Sequence, residues 1–301
     1  MTCEVLVMNR VGAALAADSA VTLTRDRGDG RVYSMSQIGA EKIFALDEAG
    51  PIAVAIYGNA EFCWTPWKNA FDVFRTRPGA PYASVRDCAV ALAAMLAETK
   101  AGGPLPVPEL VEPMALSLYL DTAVEDFAML LDEAERSDPS ADRPTRIKAA
   151  LDALDARART YDEADGRSGP RDLVGGVTPR LRALLEEHYA ALLSASVQAR
   201  FGKSLGADAL GRLGSTVIAG MFTDWIPDSA QRFCSGLVIT GFGRADVTPA
   251  LAHLRVLGAF GGLLKFQLEK VARTGADEPV LVSAFAQADP VRAFVDGVHP
   301  D

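Results

Sequence analysis

Apolar runs of strand length crowd the two ends of this chain and helical patterns fill its middle. That segregation constrains the fold more than any single motif. At the N-terminal end CEVLVMN, VGAALAADS, KIFALDE and IAVAIYG follow one another, separated by NR, by a polar glycine-containing stretch and by EAGP. At the C-terminal end come FCSGLVITGFG, ALAHLRVLGAF, LLKFQLEKVAR and VLVSAFAQ, then a short helical start in DPVRAFVDGV. Runs of this length bounded by turn residues read as strands of a sheet buried on at least one face. Strands gathered in blocks, without βαβα alternation, predict an α+β fold with antiparallel sheets, and the two end blocks have to pack on each other.

Residues 59 to 99 switch to helical spacing. NAEFCWTPWKNAFDVFRTR places Phe62, Trp67, Phe71 and Phe74 near one face, with Pro66 either in the first turns or forcing a break. Trp64 and Trp67 are expected to be core or interface anchors. Ser84 is the expected N-cap of SVRDCAVALAAMLAETK. Residues 100 to 232 open on the Pro-rich AGGPLPVPEL. They carry LYLDTAVEDFAMLLDEAE, TRIKAALDALDARART and PRLRALLEEHYAALLSASVQARF, separated by SDPSADRP and YDEADGRSGPRD. These predict amphipathic helices, a helical insertion within one domain of residues 1–301, with its charge runs forming solvated faces.

A net charge of −9 without any basic patch argues against nucleic acid as a partner. No basic leader precedes an apolar segment, and no apolar run approaches the roughly 20 residues that span a bilayer, so a cytoplasmic protein with no membrane partner is expected. The four cysteines, Cys3, Cys63, Cys88 and Cys234, show neither zinc spacing nor a disulfide framework, and the last three are expected to be reduced core residues. His188, His253 and His299 belong to no metal or triad motif and are expected on the surface or in packing. Nucleotide-loop motifs are missing as well, so no cofactor and no metal is expected.

Chemistry gathers instead at strand ends. Thr2 begins the first strand, Asp18 ends the second, Lys42 opens the third and Gly58 closes the fourth. If the first two strands form a hairpin turning at Asn9-Arg10, the start of one lies beside the end of the other and Thr2 neighbours Asp18. Lys42, at the start of a strand expected in the same sheet, can reach the same point. A Thr hydroxyl is a weak nucleophile and no histidine is near. The amine of an N-terminal Thr, with an ordinary pKa of roughly 7.7 to 8, can act as base once Met1 is removed. Lys42 would lower the hydroxyl pKa, Asp18 would orient and neutralise the lysine, and the N–H at Gly58 would hold an oxyanion. Cys3 points to the opposite face of an extended strand and its amine is blocked by Thr2, while Ser19 is expected to support the local turn.

TCEVLVMNRVGAALAADSAVT, followed by EKIFAL and AIYGNAEF, resembles the N-terminal half of proteasome β-type subunits, members of the N-terminal nucleophile hydrolases. The resemblance covers residues 2 to about 75, is weaker over 234 to 297 and does not extend to the helical middle. It implies a four-layer αββα sandwich of two antiparallel sheets, with Thr2, Asp18 and Lys42 as the catalytic set and Gly58 in the oxyanion hole. It further implies hydrolysis of a peptide or small amide through a Thr2 acyl-enzyme, and a homo-oligomer of ring type. Two other outcomes fit the same residues: a non-catalytic scaffold or partner-binding subunit, and an enzyme that passes the acyl group to an amine. The 24 residues from Asp18 to Lys42 exceed the family's usual gap, so RDRGDGRVYSMSQ is expected to be an enlarged loop. The terminal DPVRAFVDGVHPD falls where the family's third helix would run, and the C-terminal end is expected to be divergent or incomplete.

Overall fold

A computed structural model of the chain describes residues 3–26, 32–47, 50–79, 81–98, 105, 111–159, 179–201, 204–260, 262–276 and 278–287, with isolated positions beyond. The chain divides into two compact units. The first comprises Met1–Leu92, Ser235–Leu254 and Lys270–Asp301, and the second Ala93–Cys234 and Arg255–Glu269. Thr2 and most of the expected C-terminal helical start lie outside the described residues.

The elements are β1 (Cys3–Asn9), β2 (Ala13–Ala17), β3 (Ala20–Asp26), β4 (Val32–Ile38), β5 (Ile43–Asp47), β6 (Ile52–Gly58), β7 (Glu61–Phe62), β8 (Thr65–Pro66), α1 (Trp67–Arg75) and α2 (Val85–Ala97). There follow α3 (Val111–Ser137), α4 (Arg143–Arg159), α5 (Pro179–Phe201), α6 (Ala207–Met221), a 3-10 turn (Asp228–Phe233), β9 (Ser235–Gly241), β10 (Ala250–Phe260), β11 (Leu263–Arg273) and β12 (Val280–Ala286). The fold is α+β, with two multi-stranded antiparallel sheets ordered β12-β1-β2 and β11-β10-β9-β6-β5.

Strand β1 shows why the first sheet has a definite inner face. Glu4, Leu6 and Met8 are buried and the residues between them are half-buried or exposed, the period of two that a one-sided strand imposes. Leu6 and Met8 join Val238, Leu251, Leu281 and Phe285 in one apolar cluster, drawing on both sheets. The β1–β2 hairpin turns as expected at Asn9. Its side-chain Oδ1 accepts the N–H groups of Val11 and Gly12 at 2.8 and 3.0 Å, a local cap that fixes the register Glu4↔Ala17.

The enlarged loop expected between Asp18 and Lys42 is instead a second hairpin. Strands β3 and β4 pair from Ala20↔Ile38 to Asp26↔Val32, leaving only residues 27–31 outside the description. Alternating VTLT and VYSMSQI supply the strand signal, with β-branched and aromatic residues set between polar ones and no long apolar run to advertise it. The carbonyl of Ser19 accepts the N–H groups of both Gly39 and Ala40 at 3.0 Å, closing this hairpin at its base. Ser19 thus supports the local turn, as expected.

Two aromatic and cysteine expectations need correction. Trp67 is a core residue, 1% exposed at the start of α1, but Trp64 is 61% exposed. Cys63 and Trp64 form the two-residue turn between β7 and β8, both at positive φ, and such a turn throws its side chains outward. Cys63 is therefore a half-buried turn residue, whereas Cys88 and Cys234 are buried free thiols. Phe62 lies before the helix on β7, yet packs on Trp67 with ring centroids 5.3 Å apart. The Ser84 cap is in place: its Oγ accepts the Asp87 N–H at 3.1 Å.

In the second unit Tyr119, Phe127, Leu154, Leu213 and Phe260 share a core. The buried Lys265 donates from Nζ to the carbonyls of Gly220 and Thr223 at 2.6 and 2.5 Å, satisfying the end of α6, a helix the sequence reading did not single out. Burial pushes the Lys265 ammonium well below its ordinary pKa, against the opposing pull of Asp224.

Close approach of backbones gives the test of the five-stranded sheet. Gly241, at φ +138, would place a Cβ 1.8 Å from the Pro51 carbonyl oxygen, whereas Gly12 in the first hairpin has open space around it. Gly241→Ala is expected to cost about 3 kcal/mol in urea unfolding and Gly12→Ala less than about 1 kcal/mol. Equal losses for the two would contradict the β6–β9 register.

Candidate active site

The candidate site is built where β1 begins and β2 ends. Asp18 follows β2 directly, and its N–H donates to the Cys3 carbonyl at 3.1 Å, extending the ladder by one bond. Its carboxylate Oδ1 accepts Lys42 Nζ at 2.6 Å and the Cys3 N–H at 3.4 Å. Lys42 immediately precedes β5, and its carbonyl accepts the N–H of Ile56 on β6 at 2.9 Å, so its backbone is fixed to the five-stranded sheet and not, as expected, to the sheet of β1 and β2. The lysine side chain is 7% exposed and its partner Asp18 35%.

A buried ammonium requires a counter-charge, and Asp18 supplies it. Burial pushes the Asp18 carboxyl up, but the Lys42 hydrogen bond, the Cys3 N–H and the Lys42 charge together outweigh burial and hold it below its ordinary value. The Cys3 thiol moves the other way: burial raises it, and the charges of Glu4 and Asp18 raise it further. A thiol held in its protonated form is a poor nucleophile, which weakens Cys3 as a rival.

Lys42 and Gly58 line one cleft of about 310 Å³, together with Phe44, Tyr57, Trp67 and Lys68. Gly58 ends β6 at φ +78, opposite Ser235, in a left-handed conformation that a side chain would oppose. Ser235 organises the following turn. Its hydroxyl donates to the Asn59 carbonyl at 2.8 Å and accepts the Trp67 indole N–H at 2.9 Å. The structure thus brings Asp18 and Lys42 into contact and sets Lys42 and Gly58 in the wall of the same cleft, while Thr2 lies outside the described residues.

Three further polar side chains belong to this region. Tyr57, in the cleft wall, shares a hydrogen bond of 2.7 Å with Nε2 of His253, whose ring packs against Phe285. His253 was expected on the surface or in packing; it is buried, packed and hydrogen-bonded to a cleft residue. Glu4 was not singled out at all. It is fully buried on the inner face of β1, and among the described residues neither carboxyl oxygen has a hydrogen-bond partner. The signal was available in CEVLVMN, where an acid occupies the face that Leu6 and Met8 make apolar.

No family model, no curated protein and no solved structure matches the chain. Among the described residues no group of three or more His, Cys, Asp and Glu side chains could hold a metal ion, and no helix is long and apolar enough to cross a membrane.

The Asp18 carboxyl is held low in the folded state, so its stabilisation is present above the unfolded pKa of about 3.9 and is lost as pH falls through the folded value. Asp18→Asn should therefore be less stable than the parent at pH 7 by about 1 kcal/mol, a modest figure because the carboxylate is partly exposed and screened. The difference should shrink towards pH 2 in urea titrations. A constant difference across pH would show that the ion pair is not its source.

Proposed function

We propose that the chain is an N-terminal nucleophile hydrolase of proteasome-like αββα architecture that cleaves a peptide or small amide bond through a Thr2 acyl-enzyme. The observation that carries this reading is the Lys42–Asp18 pair: its acid is anchored on the Cys3 backbone one residue after Thr2, and its buried lysine stands in the wall of a cleft that reaches Gly58. A lysine buried in a cleft wall and tied to an acid is well placed to act on a neighbouring hydroxyl.

In this reading Met1 is removed and the freed Thr2 amine takes the proton from the Thr2 hydroxyl as its oxygen attacks the carbonyl carbon. The Lys42 ammonium stabilises the oxygen as it loses that proton, and Asp18 keeps the lysine aimed. The oxyanion is held by the N–H at Gly58. On collapse, the C–N bond breaks and the amine base returns the proton to the leaving nitrogen. Water activated by the same amine then hydrolyses the ester and regenerates Thr2.

The test is intact-mass and N-terminal sequence analysis of the expressed protein, followed by labelling with an electrophile that closes a ring on both the amine and the hydroxyl of an N-terminal Thr. Loss of Met1 and a single adduct on Thr2 are expected, with Thr2→Ala unlabelled. Lys42→Met should label at least about 100-fold more slowly while remaining folded, the scale of losing one electrostatic stabiliser. Quantitative retention of Met1 with Thr2 never labelled would overturn the hydrolase in favour of a scaffold subunit. Adding an amine acceptor during turnover separates the remaining outcomes, since ligated product marks acyl transfer and its absence marks hydrolysis.

A further inference from the structure

Between Gly58 and α1 the chain makes a hairpin of two rungs, Glu61↔Pro66 and Phe62↔Thr65. Its feet stand in the wall of the cleft that holds Lys42 and Gly58: Asn59 and Ala60 on one side, Pro66, Trp67 and Lys68 on the other. The base is held firmly. The Glu61 N–H donates to Asn59 Oδ1 at 3.1 Å, the Trp67 N–H to the Ala60 carbonyl at 3.3 Å and the Trp67 indole N–H to the Asn59 carbonyl at 3.2 Å. Phe62 is 2% exposed and packs on the Trp67 ring. Trp64 at the tip is the opposite case, 61% exposed. Consecutive Cα atoms are about 3.8 Å apart, so the Cα of Trp64 stands within roughly 8 Å of that of Pro66 in the cleft wall, near enough for an indole to border the cleft. The two central residues of the turn are Cys63 at φ +48 and Trp64 at φ +64, a conformation that Asn and Gly adopt readily. A bulky side chain there is strained, and an indole left in water gains no burial to offset the strain.

We propose that Trp64 is a specificity-determining residue: its indole receives an aromatic or large aliphatic side chain of a peptide lying in the cleft. The cleft wall selects this ligand class, since Phe44, Ile56, Pro66 and Trp67 make much of its lining apolar and Trp64 adds apolar surface two residues beyond Pro66. A rigid base and an exposed aromatic tip suit the task, because an indole offers a large contact area that costs little to order. The strain in the turn is then offset on binding, when the ring is covered. That the bound peptide is cleaved rests on the Thr2 reading; the docking of its apolar side chain on Trp64 does not.

Four tripeptides carrying the ring-forming electrophile test this, one all-alanine and three with a single Phe at each position in turn. With the parent protein, at least one Phe probe should label Thr2 at least about 5-fold faster than the all-alanine probe, through a lower half-saturating concentration and an unchanged limiting rate. Trp64→Ala should lose that advantage while labelling with the all-alanine probe as the parent does, and Trp64→Phe should keep most of it. The double variant Cys63→Asn, Trp64→Gly gives the turn the residues its φ angles favour; it should melt at a higher temperature than the parent and lose the Phe advantage too. Equal labelling by all four probes, or a Phe advantage that survives Trp64→Ala, would overturn the proposal and leave the Thr2 reading intact. If no probe labels the parent, the same tripeptides as plain amides are titrated into parent and Trp64→Ala by calorimetry. A Phe-dependent affinity lost in Trp64→Ala would then uphold the docking role and overturn only the Thr2 reading; its absence from the parent would overturn both.

Discussion

The contact between Lys42 and Asp18 is the constraint around which the first unit is organised. A lysine amine with almost no exposed surface can keep its charge only if an acid is held against it. That acid comes from the end of β2, while Lys42 stands at the head of β5, whose ladder with β6 begins at Ile43. The chain meets the requirement with two hairpins. The first returns Asp18 to the start of β1, where the Cys3 backbone fixes it from both sides. The second, closed by the Ser19 carbonyl, brings residues 39 and 40 back beside Asp18, so that the long separation in sequence between acid and lysine becomes a short one in space.

Polar side chains in the same interior are then sorted by what each can be given. Asp18 receives a cation and a backbone N–H and stays ionised. Glu4 is pushed by burial to about 8, against the opposing pull of the Lys42 charge. Tyr57, in the cleft wall, and His253 behind it share a hydrogen bond. Burial dominates at Glu4, whereas at the partly exposed Asp18 the hydrogen bonds from Lys42 and the Cys3 N–H outweigh it.

Much of the frame was legible because its signals are local. The apolar run CEVLVMN, the Asn9 turn, the blocks of strands and the Ser84 cap are local patterns with local causes, and each reappears in the structure. Antiparallel pairing of the first two strands made the nearness of Asp18 to the start of β1 legible; Lys42 meets Asp18 from the other sheet, not from the same one as expected. The β3–β4 hairpin was hidden because its strands alternate polar with β-branched residues and carry few apolar ones, so glycines and charges at 27–30 dominated the reading. Trp64 and Trp67 could not be told apart by residue type; a turn with two positive φ angles exposes one and the start of α1 buries the other. Partners such as Tyr57 and His253 stand 196 residues apart, and no local pattern announces them. Glu4 was within reach, since an acid on the apolar face of a strand is itself a signal.

The central claim is that Lys42 and Asp18 exist to serve an N-terminal Thr2. Its most direct measurement is a crystal structure of the processed protein carrying the ring-forming electrophile. The account predicts the adduct on Thr2, with its Oγ within about 3.2 Å of Lys42 Nζ, the Asp18 carboxylate on the far side of the lysine, and the former carbonyl oxygen facing the N–H at Gly58. An adduct on Cys3, or a Lys42 side chain turned away from a modified Thr2, would contradict it.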